Sequence, residues 1–247
     1  MLSKARIKLI QSLSLKKQRG ELKLFVVEGK KQVAELLTSD YETGCLVATQ
    51  NWLDDHRAAI KPGTEVITVS PGELHKASLQ QAPQEVLAVV RMPAKNFNPA
   101  LLHNKFSIVL DGIQDPGNLG TIIRIADWYG IKNIVCSPDC VDVFNPKTIQ
   151  ATMGSFMRVD VWYENPEEVL TQTALPVYGA LMDGVSVHKT NLDTSGILLI
   201  GNEGKGVSDK LLPLISHPLT IPRFGGAESL NAGIATAIIC DAWARGL

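Results

Sequence analysis

"FSIVLDGIQDPGNLGTIIRIADWYGIKNIVCSP", Phe106 to Pro138, is the stretch whose reading decides the fold. An apolar, β-prone run, "FSIVLDGI", leads into a turn marked by Pro116-Gly117, then a helical pattern, then a second apolar run, "NIVCSP". Strand, helix and strand in that order form the repeating unit of an α/β layer fold. On a helical wheel Leu119, Ile122, Ile123 and Ala126 make one apolar stripe, leaving Arg124 and Asp127 on another face. Asn118 is suited to cap the helix, and Gly120 to let a ligand approach the backbone. A cation early in a helix is mildly unfavourable, so Arg124 calls for a partner. Either it pairs with Asp127 at i,i+3, worth roughly a few tenths of a kcal/mol, or it serves a ligand.

The alternation continues on both sides. After Phe106 the β-prone runs are "RVDVWYE", "PVYGAL", "GILLIGNE" and "LTIPR", with helical segments between them and a small-residue helix, "SLNAGIATAIICDAWARGL", at the end. Alanines, a glycine and Cys240 at the centre of that helix suit close packing against another element, such as a second subunit. Before Phe106, "LFVVEG", "CLVATQ", "EVITVS" and "VLAVVRM" alternate with "KKQVAELL", "WLDDHRAAI" and "GELHKASL", behind a basic amphipathic helix. Two α/β domains are therefore expected, over residues 1–94 and 105–247. The Pro- and Asn-rich stretch between them is read as a linker at 95–104.

The 247 residues are 45% hydrophobic, enough for two ordinary cores. No run reaches the ~18 apolar residues of a membrane span. The N-terminus is too charged for a signal peptide, so a cytoplasmic protein without membrane contact is expected. Four widely spaced cysteines, Cys45, Cys136, Cys140 and Cys240, are read as buried thiols rather than a metal site. The net charge of −1 conceals nine Lys or Arg against two Glu within the first 31 residues. Such a cluster suits a polyanion, although a solvated helix face would look the same.

Chemistry has few places to sit. There is no G-x-G-x-x-G after a strand, no phosphate-binding G-x-x-x-x-G-K-[ST], no H-E-x-x-H and no G-x-S-x-G, which weakens dehydrogenase, kinase, zinc-hydrolase and serine-hydrolase readings. Three strand-to-loop junctions remain, where open α/β sheets place their ligands. The first is "LDGIQDPGNLGTIIR", with Asn118 and Arg124. The second, "LLIGNEGKGVS", ends a buried strand in Gly201-Asn202-Glu203-Gly204-Lys205-Gly206; its glycines free amides for a ligand unless the loop is merely a mobile hairpin tip. The third, "LTIPRFGGAESLNAGIA", places Ser229 and Asn231 at a helix start, where an N-cap would explain the serine.

Taken together, N-x-G-x-x-x-R at Asn118 to Arg124, G-N-E-G-x-G at Gly201 to Gly206, and I-P-x-x-G…E-S-L-N at Ile221 to Asn231 resemble the three motifs of SpoU/TrmH-type RNA 2′-O-ribose methyltransferases of the SPOUT class. The resemblance implies a C-terminal SPOUT α/β domain with a deep trefoil knot, preceded by an N-terminal L30e-like α/β domain that binds substrate. It implies S-adenosylmethionine as cofactor, held at Gly201, Ile221 and Leu230, with Ala180 beside them. It implies a catalytic set of Asn118, Arg124, Glu203, Ser229 and Asn231, a homodimer in which Arg124 reaches the partner's pocket, and no metal. The expected activity is 2′-O-methylation of a ribose in structured RNA, with ribosomal RNA ahead of transfer RNA. Where relatives carry a valine-serine pair after the motif-three asparagine, this chain has Ala232-Gly233, a change expected to alter packing more than chemistry. The rivals are a non-enzymatic RNA-binding protein and a base-methylating relative.

Overall fold

The structure is a computed structural model and describes residues 2–246. The chain forms two compact units, Met1–Lys95 with Phe144–Met157, and Asn96–Val143 with Arg158–Leu247. They do not follow a single cut near residue 100. Phe144–Met157 joins the first unit because its apolar side chains fill that core: Ile149 and Phe156 pack with Phe25, whose ring centroid lies 4.5 Å from that of Phe144. At the expected linker, Leu102 is already buried in the second unit's core.

In the first unit, β1 (Leu24–Glu28), β2 (Thr43–Ala48), β3 (Glu65–Thr68) and β4 (Val86–Arg91) form a mixed sheet in the order β1-β4-β2-β3. Pairing is antiparallel except between β2 and β3. Strand side chains alternate between two cores, as the period of two requires. Val26, Cys45, Val47, Leu87 and Val89 face α1 (Lys4–Ser12) and α5 (Pro71–Ala77), whereas Phe25, Val27, Leu46, Ala48, Val86 and Ala88 face α3 (Lys30–Thr38) and α4 (Gln50–His56). The short α2 (Lys16–Leu22) is tied to the end of α1 by Arg19, which is only 1% exposed. Its guanidinium donates to the carbonyls of Leu13 and Ser14 at 2.9 and 2.8 Å. These are groups that a helix end leaves without internal partners. Arg19, one of the nine cations of the basic N-terminus, is therefore a structural residue rather than a polyanion contact.

The second unit is built on six parallel strands in the order β10-β8-β9-β5-β6-β7. These are β5 (Phe106–Leu110), β6 (Asn133–Cys136), β7 (Asp160–Tyr163), β8 (Val177–Ser186), β9 (Gly196–Ile200) and β10 (His217–Thr220). β5 and β9 are neighbours and are buried along their whole length, as central parallel strands must be. The chain runs from β5 outward to β6 and β7, then returns to the far side of β9. The strand order thus reverses between β5 and β9, and the crevice above their carboxyl ends is where an open α/β sheet receives ligands.

Beyond the sheet, α6 (Pro116–Trp128) and α9 (Ala232–Ala244) pack on each other; between them in the chain come α7 (Pro146–Thr152) and α8 (Pro166–Thr171). Helix α6 starts one turn earlier than a cap at Asn118 would allow. Pro116 occupies its first turn and Asp115 is the N-cap, its carboxylate accepting from the Asn118 amide at 2.8 Å. The Asn118 side chain is thereby released from capping. Leu119, Ile122, Ile123 and Ala126 are fully buried, and Gly120 is buried with them. Helix α9 begins at Ala232, not at Ser229, with Asn231 as its cap. All four cysteines are buried and free, and burial pushes the Cys240 thiol up to about 12. No helix among the described residues is long and apolar enough to cross a membrane.

Candidate active site

The start of α6, the β9 loop and the start of α9 meet through two side-chain amides and one carboxylate. Asn118 Nδ2 donates to Glu203 Oε1, and Asn118 Oδ1 accepts from Asn231 Nδ2 at 2.7 Å. Asn231 Oδ1 in turn accepts the backbone N–H groups of Gly233 and Ile234 at 2.9 and 3.3 Å. Chemistry fixes the direction of the whole relay. An ionised carboxylate can only accept and the helix amides can only donate, so neither asparagine can be flipped. Residues 85 and 113 positions apart in sequence are held in one chain of hydrogen bonds, and Glu203 Oε2 takes no part in it.

The β9 loop is stitched, not a mobile tip. Asn202 and Gly206 exchange backbone hydrogen bonds at 3.0 and 2.8 Å, and Asn202 Oδ1 accepts from the amides of Gly204 and Lys205. Asn202 Nδ2 donates to the Gly112 carbonyl at 2.7 Å. The buried Asp111 carboxylate accepts from the Ser208 amide, also at 2.7 Å, so the β5 and β9 loops are joined twice more. Gly201 sits where the loop folds back on its own strand. A Cβ there would lie 2.3 Å from Gly206 C and Val207 N, well inside contact distance.

Beside the relay opens a cavity of about 600 Å³. Its walls include Ala180, Gly201, Ile221 and Leu230, together with Glu203 and Ser229. That volume and mainly backbone and aliphatic lining, with two carboxylates, Glu203 and Glu228, in the wall, fit a cofactor with an adenine and a flexible chain. Ser229 is exposed on this wall. Arg124 is absent from the wall of its own pocket: it is exposed, six residues beyond Asn118 on α6, and has no ion pair with any described residue. The surface pair with Asp127 is not formed, because Asp127 is engaged by Arg158, whose Nη2 lies 2.8 Å from Oδ2.

Sequence reasoning missed Asp111 and Asn202 as the ties between loops. The signal for Asp111 was its place directly after a five-residue apolar strand, where a carboxylate must find a donor. Nothing local marked Asn202 apart from its neighbours. Among the described residues no cluster of three or more His, Cys, Asp or Glu could hold a metal ion.

A parallel sheet with a cofactor-sized cavity walled by β8, the ends of β9 and β10 and the start of α9, bordered by an oriented carboxamide–carboxylate relay and without a phosphate-binding glycine loop, makes a ligand-binding α/β domain. Residues 105–241 match the SpoU rRNA Methylase family model and residues 4–88 the MRM3-like substrate binding domain model. The chain belongs to the SpoU rRNA methylase family. It is 32% identical to the 23S rRNA (guanosine(2553)-2′-O)-methyltransferase RlmP of Bacillus subtilis, over 93% of this chain and 92% of that protein. Its fold is similar to that of a TrmH-family protein from Porphyromonas gingivalis, with a TM-score of 0.89 and 39% identity over 99% of each chain. It is also similar to an rRNA methyltransferase from Sinorhizobium meliloti determined with bound S-adenosylmethionine, with a TM-score of 0.88 and 29% identity over 99% of this chain and 95% of that one.

Proposed function

We propose that the protein transfers a methyl group from S-adenosylmethionine to the 2′-hydroxyl of a ribose in structured RNA, and that the RNA is ribosomal. The observation that carries this reading is the convergence of Glu203, Asn118 and Asn231 in one directed relay beside a cavity lined by Ala180, Gly201, Ile221 and Leu230. Family membership and the names of the relatives support the choice of ribosomal RNA. When bound, the cofactor supplies an electrophilic methyl group on a sulfonium.

This chain's residues then have to hold the hydroxyl in line and ease the loss of its proton. Glu203 presents one free carboxylate oxygen, and the relay fixes where it points. Ser229 offers a hydroxyl on the same wall. Arg124, with a guanidinium pKa above roughly 12, stays charged and acts by anchoring the 3′-phosphate and polarising the hydroxyl rather than as a base. Its exposure away from its own pocket supports a homodimer in which it completes the partner's site. Exposed apolar side chains on the same two helices, Trp128 at 84% and Ile234 at 51%, support that assembly. The same reading includes an L30e-like first domain over 1–94, a catalytic domain over 105–247 with a trefoil knot, and action in the cytoplasm, where free thiols such as these four persist.

The test is incubation with labelled S-adenosylmethionine and ribosomal or transfer RNA, followed by digestion to nucleosides. Label on the ribose of ribosomal RNA is the expected result. Label on a base, or on transfer RNA alone, would overturn the reaction or the substrate, and no heat of cofactor binding in calorimetry would favour a pure binding module. Arg124→Lys should lower single-cycle turnover at least tenfold, because an ammonium cannot present the guanidinium fork.

A further inference from the structure

The basic N-terminus is divided by the fold. Helices α1 and α5, on one side of the first unit's sheet, and α2, tied to the end of α1, carry seven Lys or Arg against Glu21 and Glu73. Helices α3 and α4, on the other side, carry Lys30 and Lys31 against Glu35, Asp54 and Asp55. Charge is thus segregated by layer, which the sequence order does not reveal.

Within the basic layer the two acids are already engaged. Glu73 closes the capping box of α5 and accepts from the Leu2 amide, and hydrogen bonds from Ser70 hold its carboxyl below the usual range. Glu21 is shared between Gln18 and, at 3.9 Å, Lys17. Arg6 pairs with Glu65, and Arg19 is internal. That leaves Lys4, Lys8, Lys16 and Lys76 exposed and without an ion pair among the described residues, with the exposed Lys23 directly after α2. Lys4 and Lys8 stand one turn apart on α1, ~6 Å along its axis. One turn further on that face, Gln11 Nε2 donates to the Lys76 carbonyl at 2.8 Å. That bond brings Lys76 of α5 beside the turn of α1 that follows Lys8.

We infer that this α1/α2/α5 layer is the face that holds the phosphate backbone of a folded RNA stem. The inference rests on the proposed RNA substrate and adds the surface that takes it. Charge complementarity selects a polyanion. The three helices carry no Phe, Tyr or Trp and one aromatic ring, His75, so they lack the run of aromatic side chains on which single-strand recognition relies. Backbone contacts without stacking fit a helical stem.

The experiment uses the full chain and a fluorescein-labelled ribosomal RNA stem-loop, with oligo(U) of equal length for comparison. Affinity is measured by anisotropy across a salt series. Lys8→Gln/Lys76→Gln should weaken stem binding about tenfold and reduce the log–log salt slope by about 1.5, two released phosphate contacts at ~0.7–0.9 each. Lys31→Gln/Arg57→Gln, an equal charge change away from this layer, should leave both within about twofold. Equal losses in the two variants, an unchanged slope, or tighter binding of oligo(U) than of the stem would overturn the assignment. So would an effect confined to vesicles of phosphatidylglycerol, since the occupant would then be a membrane. Cofactor binding by calorimetry, expected unchanged in both variants, shows that folding is intact. Absence of ribose methylation by the unmodified protein would defeat the proposed function without altering the slopes, so the two failures are distinguishable.

Discussion

Asn118 has both ends of its amide engaged, donating to Glu203 and accepting from Asn231. Asn118→Ala removes both links and leaves the cavity wall untouched. Cofactor affinity should change less than about threefold while single-cycle turnover falls roughly 100-fold, a split that calorimetry and rapid-quench assays resolve. Asn118→Asp is more informative, because it opposes two carboxylates. Like charges at hydrogen-bond distance raise the pKa of one of the pair, and only the protonated pair can restore a donor toward Glu203. Turnover of this variant, relative to the unmodified protein, should rise as pH falls from 8 to 6; a flat ratio would show that the link carries no function. Arg124 differs from Asn118 in what could be read beforehand. Its type and spacing marked it as unusual, but only the Asp127–Arg158 pair removed the surface explanation.

At the level of elements, strand placement was legible because each strand is a short, nearly continuous apolar run bounded by turn formers. Helix starts were less so. Asn118 and Asp115 are both good caps, and Pro116 in the first turn decides for Asp115. Ser229 and Asn231 pose the same ambiguity, settled by the two amides that Asn231 accepts. The β9 loop depends on one backbone approach. Gly201→Ala forces a methyl against Gly206 and Val207, so it should cost about 1–3 kcal/mol of stability in denaturant titration and abolish measurable cofactor binding. In the first unit, Arg19→Ala leaves the Leu13 and Ser14 carbonyls short of a donor. It should destabilise that unit by about 2–3 kcal/mol, visible as an earlier transition in thermal melting.

For the whole molecule, the homodimer proposal makes a prediction that no single chain can satisfy. Arg124→Ala and Glu203→Gln should each be inactive alone. Mixed and allowed to exchange, they should recover roughly one quarter of normal activity, because half of the dimers then hold one intact composite site of two. Recovery of nothing, with exchange verified by sedimentation of tagged chains, would place Arg124 in its own pocket. What the sequence by itself determined was local: apolar period, turn chemistry, three motifs in order, and the residue types at each junction. What only the tertiary structure decided was adjacency. The relay needs Asn118 beside Glu203 and Asn231, the first core takes in Phe144–Met157, and lysines scattered from Lys4 to Lys76 fall on one side of a sheet. Those outcomes depend on strand order and on which face each helix covers, and both are set by long-range burial rather than by any local signal.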